Sequence, residues 1–431
     1  MESLWSGTAN MHQFPSLRRS MKVDVLIIGG GLAGLLCAYQ LAKEGVDCIV
    51  VEERRICGGI TQNTTAKITA QHGLVYQKLM KKLGEERSRQ YLQAQLAAGE
   101  EYRELCKQIN CDYEEKLSYV YTTTDLKKLE QEQRVLDTLG HPTEIVDDLP
   151  LPITVKGAIC FGNQAQFHPL KFAMKIAKNL RVYEHTKVLE LGKHIAVTNH
   201  GTVRAKHIII ATHFPMLNKH GSYFLKLYQE RSYVLALRDA PQVDGMYVDE
   251  SKDGLSFRNA GEYLILGGGS KRTGKKTTGW QELEDFAAQH YPKAKPAFRW
   301  AAQDCMTLDG SAYIGPYSAN TTGLYVATGF NKWGMTNSMV ASHILTDRIL
   351  GRDNPYAPAF DPSRSVFHLQ LAANAGESML NLLTPTVPRC PHLGCALKYN
   401  AQERTWDCPC HGSRFTETGK RIDNPATDDK R

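Results

Sequence analysis

The chain closes on two short boxes, Cys390-Pro-His392-Leu-Gly-Cys395 and Cys408-Pro-Cys410-His411-Gly-Ser413, with fifteen residues between His392 and Cys408. Each box sets Cys and His on a tight loop containing Pro and Gly, so the two loops can close on one metal centre from opposite sides. Three readings compete. Two thiolates and two imidazoles can hold the irons of a 2Fe–2S cluster, the same four groups can hold tetrahedral zinc, or the thiols can be unliganded and buried. Zinc needs neither the second Cys of each box nor the Gly-Cys and His-Gly-Ser contexts, which favours the cluster. Whatever the fold, it must bring two loops remote in sequence into contact.

Those boxes occupy little of a 431-residue chain, which has length for two or three domains and a large core. An apolar content of 42% and a charged content of 23% are ordinary for a globular protein. The net charge of +7 is spread without a polybasic block. It gives no case for nucleic acid and leans slightly toward acidic small molecules or an acidic electron-transfer protein. The other seven cysteines (Cys37, Cys48, Cys57, Cys106, Cys111, Cys160 and Cys305) are scattered without paired spacing, as free thiols in a reducing cytoplasm are. Arg18-Arg19 before an apolar stretch mimics a twin-arginine export signal, but Asp24 and the glycines interrupt that stretch. No transmembrane segment is expected.

Residues 1–20 read as a polar, irregular arm. At 23–28 a continuous apolar run predicts a buried parallel strand. Gly29-Gly-Gly31-Leu32-Ala33-Gly34 follows, then a helical stretch to Lys43, a stop at Gly45, and a second strand over 48–51 ending at Glu52. In that context Gly29 permits a tight turn, Gly31 admits a pyrophosphate, and Gly34 lets helix and strand touch. The phosphates meet the helix N-terminus, and Glu52 accepts from a ribose diol.

The fingerprint alone does not separate FAD from NAD. The segment from Gly58 to Gly73, with Thr65, Ala66 and Lys67, resembles the loop that lines the isoalloxazine in flavoproteins of the D-amino-acid, glycine and sarcosine oxidase (DAO) group. Lys67 reads equally well as a surface cation. The resemblance covers residues 21–350 and implies FAD-binding parts at about 21–75, 156–222 and 301–350. Substrate-side parts fall at about 76–155 and 223–300. The expected class is α/β, a doubly wound Rossmann-like domain with an antiparallel substrate-side sheet. Val188 falls where the adenine is met. Gly329, Trp333, Gly334, Met335 and Thr336 form the strand–Gly-loop–helix aimed at the flavin pyrimidine. An Ala-Thr-Gly-like turn of the family has His213 in place of its glycine.

Coarse periodicity places helices within 74–140, strands at 117–122 and 153–155, a helix from Pro169, and antiparallel strands over 225–300. Gly267 to Arg272 lacks a following helix and reads as a flexible strand end. Residues 337–350 are helical, 351–364 form a linker, and 365–384 look helical.

The terminal boxes closely resemble the Rieske family. Carried over by position, Cys390, His392, Cys408 and His411 are the ligands, and Cys395 and Cys410 are the pair that family often joins as a disulfide. The module, 385–431, is expected to be all-β and abbreviated, with no room for the strands that usually precede the first box. So small a unit buries little by itself and is expected to dock on the flavoprotein or a neighbouring protomer.

A flavin dehydrogenating an amine or amino acid needs substrate held over the ring, usually by a cation on a carboxylate. Arg231, Arg258 and Arg272 are the expected clamps, with Lys332 beside the ring. The expected function is oxidation of an amine or amino acid, with electrons passing from flavin to cluster to an acceptor. An electron relay fed by an external donor and a redox sensor without turnover are the alternatives. Oligomeric state is left open, a homo-oligomer included.

Overall fold

The computed structural model describes residues 2–217, 220–364 and 388–430, so the helix expected at 365–384 lies outside the described residues. The apolar run after Lys22 forms the strand Met21–Ile28, central in an eight-stranded sheet. It pairs in parallel with Cys48–Val51 on one side and Gly201–Ile210 on the other. Leu324–Thr328 and Val182–Tyr183 extend the parallel set outward. Helices Leu32–Lys43 and Gly334–Ile349 pack against each other beside it. Burial on both faces explains why these strands carry unbroken Val and Ile rather than alternation.

A second, nine-stranded sheet stands against the first. The strand Leu227–Arg238 is flanked by Lys295–Thr307 and Tyr263–Arg272, antiparallel to both. Its side chains alternate. Tyr233, Leu235 and Leu237 pack outward against Trp280 and Leu283, while Val234 and Ala236 join the core shared with the dinucleotide sheet.

Several expectations are revised here. Residues 153–155 are not a strand; Glu144–Val146 and Gly157–Gln166 pair instead. Gly157–Gln166 and Lys295–Thr307 both belong to the second sheet, so the substrate-side sheet reaches into both flanking parts assigned to FAD binding. The glycine run is no flexible end. A Cβ at Gly267 would meet Ser256 Oγ at 2.8 Å, and one at Gly268 would meet Leu255 at 2.8 Å, so glycine lets the strand Tyr263–Arg272 pack in the sheet interior. An additional helix, Gln281–His290, covers the outer face. The N-terminal arm contains a short helix, Leu4–Thr8, and Trp5 is buried with its indole N–H donating to Thr64 O at 2.7 Å.

The terminal module is a four-stranded antiparallel sheet, Lys398–Asn400, Thr405–Asp407, Arg414–Thr416 and Arg421–Asp423. Its core is Leu397, Phe415, Ala426 and four cysteines. The module is docked, as its size demanded. The outward side chains of Leu227–Arg238 and its neighbours receive it. Gln229 Nε2 donates to His411 O at 2.7 Å and Asn424 O at 3.1 Å, and Gln303 Nε2 donates to Gly412 O at 2.8 Å.

Candidate active site and metal centre

Between the two sheets and the module lies a cavity of about 940 Å³. One end is the dinucleotide turn. Gly29 has φ +111°, and a Cβ there would strike Ala211 O at 2.5 Å; a Cβ at Gly34 would strike Gly29 O at 2.0 Å. Among the described residues only Thr61 Oγ1, at 3.5 Å, is near the Cβ position of Gly31, so that backbone is open to the cavity at the helix N-terminus. Glu52 accepts from the Gly30 N–H at 2.8 Å and the Arg54 N–H at 2.9 Å, and burial pushes its carboxyl up. Val188 lines the same end. His213, in the place of the family's glycine, holds φ +67°, so the turn keeps its left-handed shape despite the substitution.

Further along, Thr65, Lys67, Gly329, Trp333, Gly334 and Met335 line the cavity, with Leu32 and Ala33 behind the turn. Lys67 is buried, not a surface cation, and desolvation lowers its ammonium to about 7, helped by Arg258. Ala66 and Thr336 support this wall from behind. Ala66 has φ +55°, and Thr336 Oγ1 lies 3.1 Å from His72 Nε2, whose ring stacks on Trp333. The shape fits FAD. A long crevice has an anion-binding helix end, an acid at the ribose position and a ring-sized chamber between sheets.

The boxes meet at the tip of the module. Cys395 and Cys410 form a disulfide with Cα atoms 6.7 Å apart. Sulfurs of Cys395, Cys408 and Cys410 crowd within 4.8 Å, but the disulfide removes two of these from ligation. Cys408 instead faces Cys390 within hydrogen-bond reach, which lowers the Cys390 thiol. The His392 and His411 rings lie 5.0 Å apart. Burial lowers His392 to about 4 and His411 to about 3, leaving neutral imidazoles, the form that binds metal. Among the described residues, His411 Nδ1 is buried without a hydrogen bond, as suits a nitrogen that ligates a metal. Two thiols, two imidazoles and a bridging disulfide fit a 2Fe–2S cluster; zinc leaves the disulfide unexplained.

Comparison with known proteins agrees. Residues 24–348 match the FAD dependent oxidoreductase (DAO) family and residues 383–430 the Rieske [2Fe-2S] domain. The chain belongs to the DAO family of FAD-dependent oxidoreductases. It is 32% identical, over 99% of its length and 96% of the relative's, to a Bacillus subtilis protein described as a Rieske 2Fe-2S iron-sulfur protein, YhfW. Glycine oxidase from Geobacillus kaustophilus shares the fold, with a TM-score of 0.68 and 20% identity over 80% of this chain and 99% of that one. L-proline dehydrogenase from P. horikoshii is similar, with a TM-score of 0.67 and 16% identity over 81% of this chain and 98% of that one.

In this DAO-family oxidoreductase the three arginines expected to clamp substrate are all engaged elsewhere. Arg231 points outward, where Glu403 of the module grips its guanidinium through both Nε and Nη2. Arg272 donates to Pro409 O at 3.0 Å and Cys410 O at 3.1 Å. Arg258 is buried, donates to Ala66 O at 2.9 Å and lies over Trp5, so it braces the flavin loop. The cause is strand alternation. Sequence placed these residues on the right sheet, but the period of two turned Arg231 to the face away from the chamber. Lys332 alone of the proposed set faces the chamber with its head group. Its Nζ donates to Ser270 Oγ at 2.6 Å and pairs with Glu230 Oε2 at 2.9 Å. Lys332 outweighs the desolvation of Glu230 and holds that carboxyl below its ordinary range.

Sequence reasoning missed Glu230, Ser270 and Asp304 on the chamber face, and Gln229, Gln303 and Glu403 at the docking face. The one available signal was the polar content of residues 228–232 and 302–304 within strands otherwise apolar.

Proposed function

We propose that this oxidoreductase dehydrogenates an amine or amino acid and delivers the electrons singly, through its Rieske module, to an external acceptor. The observation that carries the reading is the docking. The loop bearing His411 and Gly412 is hydrogen-bonded to Gln229 and Gln303, and Gln303 also lines the cofactor cavity. When bound, FAD supplies two-electron oxidation and the 2Fe–2S cluster one-electron transfer.

The chain's own residues do the rest. Gly29 to Gly34, Glu52 and Val188 hold the nucleotide half, and Thr65 to Lys67 with Gly329 to Thr336 hold the ring. Cys390, His392, Cys408 and His411 hold the cluster. The Lys332 ammonium, fixed by Glu230 and Ser270, keeps a positive charge beside the ring position. The two sheets and the module line the space between them. The solved neighbours named for glycine and L-proline, and an Escherichia coli relative named gamma-glutamylputrescine oxidoreductase (28% identical over 48% of this chain), support the substrate class. Among the described residues no helix is long and apolar enough to cross a membrane. The seven cysteines outside the boxes are free thiols, which suits a cytoplasmic setting, and the net charge of +7 suits an acidic redox partner.

Anaerobic mixing with a panel of amines and amino acids tests this. Flavin absorbance should bleach first and the cluster's visible band second. Cluster bleaching ahead of flavin, or no bleaching by any member while dithionite reduces both, would defeat the proposal.

A further inference from the structure

The strand pair Leu227–Arg238 and Lys295–Thr307 sets Glu230 directly opposite Asp304. Residues directly opposite in an antiparallel pair project from the same face, so both carboxyls share the chamber side. Their situations differ. Glu230 is occupied by Lys332 and by Ser270 Oγ at 3.3 Å. Asp304 is half-buried, lines the cavity, and has no hydrogen bond or ion pair among the described residues. A partly buried carboxyl without a protein partner is a natural receiver for a cationic group that enters the cavity. The charged groups near it are Glu230 on the neighbouring strand, Lys332 on the loop before Gly334–Ile349, and Arg231, whose guanidinium leaves the other face of the sheet. Arg231 is already gripped by Glu403, and Lys332 by Glu230.

We infer that Asp304 is a substrate-contact residue that receives the ammonium group of a cationic amine. This rests on the proposed amine or amino-acid dehydrogenase and specifies how such a substrate is oriented. The charged nitrogen is held at the strand pair, and the grip is a carboxylate of this chain rather than a guanidinium. Burial raises the Asp304 carboxyl to about 6, so the contact is made above that pH and lost below it.

The test uses the full-length protein with both cofactors and n-butylamine as probe, with n-butanol as its uncharged counterpart. Binding is read from perturbation of the flavin spectrum. The wild type should bind butylamine more tightly as pH rises through about 6, whereas butanol should show no such dependence. Asp304→Asn, nearly isosteric, should weaken butylamine about 10- to 100-fold, remove the pH dependence and leave butanol unchanged. Asp304→Ser provides a second variant should Asn perturb folding, which retention of flavin and cluster absorbance checks. Unchanged butylamine affinity in either folded variant, or a wild-type affinity flat across pH 5–7, overturns the inference. Failure of every amine and amino acid to reduce the wild-type flavin would instead remove the proposed function, an outcome the binding measurement does not share.

Discussion

One pair of strands, Leu227–Arg238 with Lys295–Thr307, presents two faces with opposite uses. Outward, Gln229, Arg231 and Gln303 hold the module through a dense set of short polar contacts. Inward, Glu230 and Asp304 face the chamber, and only Glu230 is paired among the described residues. The outer face is saturated and the inner one is not. Glu403 shows how far saturation goes. It accepts from Arg231, from Arg414 at 2.8 Å and from Tyr233 Oη at 3.2 Å. Burial opposes its charge, but Arg231 and Arg414 outweigh burial and hold its carboxyl below the ordinary value of 4.5. A surface whose every group is satisfied serves assembly, and one that keeps a group unsatisfied serves a ligand.

The largest effect should come from removing the outer face altogether. Residues 388–431 expressed alone should be unfolded and colourless, because the module's core is small and buried Glu403 loses its outer partners Arg231 and Tyr233. A folded peptide with a visible cluster band would show that the body is dispensable. Next in size, Glu403→Ala leaves the buried Arg231 guanidinium without its carboxylate, while Arg414 keeps Asp407 and Asp423. It should destabilise the docked state by about 3–5 kcal/mol, measured as protease susceptibility of the module and a lower first thermal transition. The same contact carries a pH signature. Its folded pKa lies below the unfolded one, so its contribution is fully present above about 4.5 and fades as pH falls through the folded value. Acid should therefore release the module before it unfolds the body. Smallest, Arg421 pairs with Glu53 at 2.6 Å on the rim, and Arg421→Ala should cost only about 0.2–1 kcal/mol. A loss as large as that of Glu403→Ala would erase the distinction between a buried anchor and a rim contact.

Much of this molecule was legible without coordinates. The apolar run before Gly29, the glycine spacing and Glu52 specify the dinucleotide turn through local sterics, and local sterics are written in local sequence. The cluster boxes were legible for the same reason, since ligand type and spacing are properties of short segments. The Arg231, Arg258 and Arg272 assignments were not. A single strand announces which residues alternate but not which face meets a neighbour, and both faces of this one are covered. The packing of Gly267 and Gly268 was hidden likewise, because the contacts that demand glycine come from Ser256, on the neighbouring strand, and Leu255 just before it.

The sequence by itself determined that the chain binds a dinucleotide and a cluster, since those sites are built from contiguous residues with fixed backbone geometry. Only the tertiary structure decided where the two meet. Docking through Arg231, Arg272 and Gln229 joins residues more than a hundred positions apart. The choice between gripping Glu403 and gripping a substrate turns on which side of one sheet a guanidinium leaves.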